Sequence, residues 1–138
     1  MAKITLKGRE IPLLYTVWEM KQIQEQFGSL TEFDYKLLGK NRDDPEDTSR
    51  FGGPEQLDAV AGAIRILGNA GLEDEGKDGD LADKWILRAL RPANLVDAVK
   101  TIMQALQEGN RSEIPEKEQT GPVDVTLEEI KKNETKDS

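Results

Sequence analysis

The first 28 residues constrain the fold more than the rest of the chain together. Ile4-Thr-Leu-Lys-Gly-Arg-Glu-Ile-Pro-Leu-Leu-Tyr15 places two short apolar stretches around Lys7-Gly8. That pattern predicts strands over Lys3 to Leu6 and Glu10 to Tyr15, joined by a tight turn. Pro12 lacks a backbone N–H, so the second strand should lie at an edge or begin late. A lone hairpin is marginal in water, so this one must pack on helices or pair with another chain. Thr16-Val-Trp-Glu19 then fits a capping box, which opens a helix that Gly28 stops after Phe27.

On that helix Val17, Met20, Ile23, Gln24 and Phe27 are expected to share one face. Trp18 falls away from it. Trp18 therefore either packs under the hairpin or a later helix, or it offers an aromatic surface to a partner. Ser29-Leu-Thr-Glu32 is a second capping box, predicting a helix over Leu30 to Leu38 with Leu30, Phe33, Leu37 and Leu38 inward and Gly39 at its end. Residues 40–53 read as a polar, mobile loop anchored by Phe51.

Pro54 suits the first turn of a third helix. Its stripe is Leu57, Val60, Ala61, Ile64 and Leu67, with Ile66 off it, and Gly68 and Gly71 should stop it by about residue 71. An acidic linker follows from Glu73 to Asp80. Asp80-Leu-Ala-Asp83 should start a fourth helix. Leu81, Trp85, Ile86, Ala89 and Leu90 are apolar and Leu87 extends that character to the other side, so the helix is apolar nearly all round, as expected of a central or interface helix. Arg91-Pro92 breaks it. A fifth helix runs from about Pro92 to Glu108, with Leu95, Val99, Ile102, Met103 and Leu106 on one face and Gly109 terminating it.

The expected organisation is α+β and mainly α-helical. A small N-terminal β-hairpin over 3–15 and about five helices over 16–108 form a single globular domain over 1–109. Residues 110–138 carry eight acids and five bases with few apolar residues, and read as a flexible, disordered acidic tail. Within it, Thr126-Leu-Glu-Glu129 is a short capping box before Ile130.

The chain has no cysteine and no histidine. Disulfides, thiol catalysis, Cys/His zinc sites and imidazole bases are therefore excluded. Gly-x-x-x-x-Gly-Lys-Ser/Thr and Gly-x-Gly-x-x-Gly are both absent. Asp74, Asp78 and Gly79 match three positions of a calcium loop, but Gly76 and Trp85 stand where carboxylates are needed. A solvated linker is the better reading, and no cofactor is expected. Arg91-Pro92 is not the glycine turn of a helix-turn-helix, and Lys100 alone supplies charge to the middle of the following helix. A net charge of −8 repels phosphate backbones, so nucleic acid is not an expected partner. No apolar run is long enough to span a membrane, and the N-terminus lacks the apolar core of a signal peptide, so the expected location is the cytoplasm. With no organised catalytic site, the chain reads as a binder and not an enzyme.

The hairpin Lys3 to Leu6 and Ile11 to Tyr15, the helix Thr16–Phe27 and the following Gly28-Ser29-Leu30 resemble the tail assembly chaperones of long-tailed bacteriophages and prophages. Size, acidity, helical remainder and polar tail are similar too. The resemblance implies a non-enzymatic protein that binds and solubilises the tape-measure protein in the bacterial host cell, and that tail-tube protein subunits displace. It also implies a longer frameshifted form. Lys131-Lys132-Asn133 can be encoded by an A-rich slippery heptamer, a point the nucleotide sequence decides. Candidate partner-binding residues are Trp18, Ile66 and Leu87, each off its helix's main stripe. Edge pairing of the hairpin would make a homo-oligomer. Two rival readings are a structural particle component such as a head–tail connector, and a small acidic adaptor binding a host protein.

Overall fold

In the computed structural model the residues described are 1–44 and 46–111. Strand β1 (Lys3–Leu6) pairs antiparallel with β2 (Arg9–Pro12). Lys7 and Gly8 both have positive φ, 52° and 75°, the signature of the two-residue turn whose twist matches a hairpin. Leu13 N–H donates to Ala2 C=O at 2.9 Å. With Lys3 opposite Pro12 one step further in, Pro12 occupies a pair whose backbone groups point outward, so its missing N–H removes no ladder bond. The second strand ends at Pro12 and not at Tyr15. The chain leaves the sheet after Leu13, because Leu14 N–H bonds the Leu67 carbonyl of a helix at 3.0 Å instead.

Helices α1 (Val17–Phe27) and α2 (Leu30–Leu38) begin where their caps predict. The Glu19 carboxylate turns back to accept from Thr16 N–H at 2.9 Å, and Ser29 Oγ accepts from Glu32 N–H at 3.0 Å. These are local bonds, so the sequence spacing alone sets them. The loop after α2 is organised by side chains bonding to nearby backbone: Asn41 Oδ1 accepts from Asp43 N–H and Asp47 Oδ1 from Ser49 N–H, both at 2.9 Å. Phe51 does not anchor it, being 45% exposed. Gln56 does, donating to Leu37 C=O at 2.9 Å and accepting from Gly52 N–H at 2.6 Å while fully buried.

Helix α3 (Pro54–Asp74) is the centre of the molecule and touches α1, α2, β2, α4 and α5. From Ala59 to Gly68 nearly every residue is buried, so α3, and not the fourth helix, is the one enclosed on all sides. It continues past Gly68 and Gly71 to Asp74. Those glycines serve close approach: a Cβ on Gly71 would collide with the Pro12 carbonyl, so their absent side chains seat the hairpin on the helix.

Helix α4 (Asp83–Ala89) starts two residues later than a cap at Asp80 suggests, with Ala82 in the cap position. Asn69 Oδ1 accepts from Leu81 N–H at 2.8 Å, which holds Leu81 outside the helix with its side chain buried against Gly68. A 3-10 turn (Pro92–Asn94) precedes α5 (Leu95–Gly109). Gly109 is the last residue of α5, with Asn110 as its cap. Its position is set by the Tyr15 backbone, whose carbonyl would strike a Cβ there. Arg111 is the last residue described, so most of the expected tail, with Thr126–Glu129 and Lys131-Lys132-Asn133, lies outside the described residues. Among those described, no helix is long and apolar enough to cross a membrane.

Candidate partner-binding surface

Three of the exposed large apolar residues belong to one end of the molecule: Met1 at 60%, Val17 at 75% and Trp18 at 61%. Val17 was expected on the buried stripe. The buried face of α1 is instead centred on Glu19, Ile23 and Phe27. Glu19 takes an inward place because its carboxylate is consumed by the cap, and the helix is thereby rotated so that Val17 joins Trp18 in solvent. Lys21 Nζ stands 5.3 Å from the Trp18 ring centroid and is paired with Glu25 at 2.7 Å. Trp18 is thus neither under the hairpin nor under a later helix.

Met1 and Val17 rim a groove of about 580 Å³, with Leu13, Leu14, Tyr15 and Ala105 on its walls. Glu108 and Arg111 of the α5 end close it. Glu108 accepts from Ala2 N–H at 2.8 Å, and this bond is the main reason its carboxyl is held below the usual range. The residues ahead of β1 are thereby fixed to the last turn of α5. Tyr15 divides this groove from a smaller one of about 190 Å³ between α2 and α5. Burial pushes the Tyr15 phenol up, and the nearby Asp34 carboxylate adds to that rise. The phenol is therefore neutral and serves as a wall.

The other two candidates lie elsewhere. Ile66 is 5% exposed because α3 is surrounded, so its distance from the main stripe carries it into a second packed face and not to a surface. Leu87 on α4 is partly buried against the core. Trp18, Ile66 and Leu87 sit on three different helices and form no common surface. Met1 and Val17 are the residues that sequence reasoning missed. Neither carried a periodic signal, and only the α1 rotation exposes Val17.

Comparisons with protein-family models, with curated proteins and with solved structures find no match to this chain.

Proposed function

We propose that the chain is a tail assembly chaperone of a phage or prophage, which binds and solubilises an apolar helical stretch of the tape-measure protein through the Val17–Trp18 end of the molecule. The observation that carries the reading is the exposure of Val17 and its helix neighbour Trp18, with Met1 and Val17 rimming a groove whose walls include Leu13, Leu14, Tyr15 and Ala105. Exposed aromatic and aliphatic residues next to a concave apolar surface suit capture of an amphipathic helix. The hairpin-to-capped-helix pattern of residues 3–38 points to the same family. A holdase needs an apolar surface that is accessible, modest in size and displaceable, and the exposed Met1, Val17 and Trp18 side chains suit those terms. The tail-tube protein is the proposed displacing partner, and the free edge of β1 the proposed site of any self-association.

Co-expression with the product of the long helical gene expected downstream tests this. The partner should stay soluble and co-purify with the natural chain, and return to the pellet with Trp18→Ala or Val17→Asp while the helical circular dichroism is unchanged. A partner that is insoluble in both cases overturns the reading. Recovery of this chain from mature particles would move it to the structural components.

A further inference from the structure

The smaller groove beyond Tyr15 has a chemistry of its own. Leu30, Phe33, Met103 and Leu106 form its apolar walls, and Asp34, Gln107 and Asn110 supply its polar lining. No lysine or arginine lines it among the described residues. Asp34 takes part in none of the ion pairs found there, although its helix neighbour Glu32 is paired with Arg42. Burial by the surrounding side chains raises the Asp34 carboxyl above its ordinary range. A neighbouring cation would reverse that shift.

Apolar walls that end in a lone carboxylate are the complement of one kind of side chain: a long aliphatic stem with a cation at its tip. We infer that this groove receives a lysine or arginine side chain of the bound partner segment, its stem along Leu30, Met103 and Leu106 and its charge on Asp34, while apolar side chains of the same segment cover Val17 and Trp18 across Tyr15. The inference rests on the reading of this end as the partner-binding surface. It specifies a partner helix with an apolar face and a cation at its border. The net charge of −8 favours such a partner over an acidic one.

Pentylammonium and pentanol, titrated separately into the full chain and followed by amide and methyl NMR shifts, test the chemistry without the partner. The amine should perturb Tyr15, Leu30, Met103 and Leu106, bind about fivefold more tightly than the alcohol, as expected for a partly screened ion pair, and lose that preference at raised salt. Asp34→Asn should equalise the two probes, whereas Asp97→Asn should not. The Asp34 carboxyl pKa should fall on adding the amine. Equal affinities, no shifts, or shifts scattered over the acidic surface overturn the inference. So does amine binding that appears only in a chain ending at Arg111, which makes residues 112–138 the occupant, or self-association abolished by Asp34→Asn, which makes a second copy the occupant. Failure of the co-expression test with a positive amine result discards the chaperone reading and leaves the groove's cation preference standing; the reverse outcome discards only the latter.

Discussion

The two tryptophans of this chain have similar neighbours and opposite surroundings. Each carries a cation near its ring: Lys21 at 5.3 Å from Trp18, and Lys7 at 5.6 Å and Arg9 at 5.9 Å from Trp85. At Trp18 the cation comes from the next turn of the same helix, a contact an isolated helix would make. At Trp85 the cations come from the hairpin turn, and Arg9 also bonds Asp80 at 3.1 Å across a sequence separation of 71 residues. Trp85 is partly buried against the core, whereas Trp18 is 61% exposed. One ring therefore helps close the fold and the other is left for a partner. An aromatic residue and a cation do not by themselves mark a site; what matters is whether the ring is covered by a distant element.

The sharpest way to break this contrast is at the hairpin seat. Gly71→Ala should push Pro12 off α3, strip the cover from Trp85, and cost about 3 kcal/mol by the overpacking mechanism, read as a lower urea midpoint. Trp18 fluorescence should keep its native maximum below that midpoint. Next in size, Trp85→Ala should destabilise by about 2 kcal/mol, while Trp18→Ala should stay within about 0.5 kcal/mol, a difference visible in parallel urea melts. Equal costs would remove the distinction between the two sites. Smaller again, Lys7→Ala should lower stability by about 0.5 kcal/mol, as for a partly exposed cation–π contact, and Lys21→Ala by less.

The smallest effect is in the pH dependence. The folded-state pKa of Asp34 is raised, so its contribution to stability is fully present below the unfolded carboxyl value and is lost as pH rises through the folded value. Glu108 has the opposite sign: its contribution is present above the unfolded value and lost as pH falls through the lowered folded one. Urea midpoints between about pH 3 and pH 7 should therefore show Asp34→Asn gaining on the natural chain as pH rises, and Glu108→Gln losing on it. Slopes of equal sign would contradict the surroundings assigned to these two groups.

The starts of α1 and α2 were legible to the residue, because a cap is an oxygen placed within three residues of the N–H it satisfies. So was the hairpin turn at Lys7-Gly8, where both residues adopt positive φ and Gly8 is of the type that does so freely. Trp18 was legible as a residue off its stripe, though nothing local said whether another element would cover it. Val17 was misplaced because Glu19, counted as polar, is buried once its charge is spent on the cap. Ile66 was misplaced because a stripe assumes one buried face, and α3 has neighbours all round it.

The sequence by itself determined the hairpin turn, the caps of α1 and α2 and the order of helices, since each depends on interactions spanning a few residues. The tertiary structure alone decided where β2, α3 and α4 end or begin. Leu14 leaves the sheet for the Leu67 carbonyl, Gly71 admits the hairpin instead of stopping its helix, and Asn69 holds Leu81 outside its helix. In each case a backbone group had a nearby and a distant way to be satisfied or packed, and the distant one also buries apolar surface, which no local pattern records.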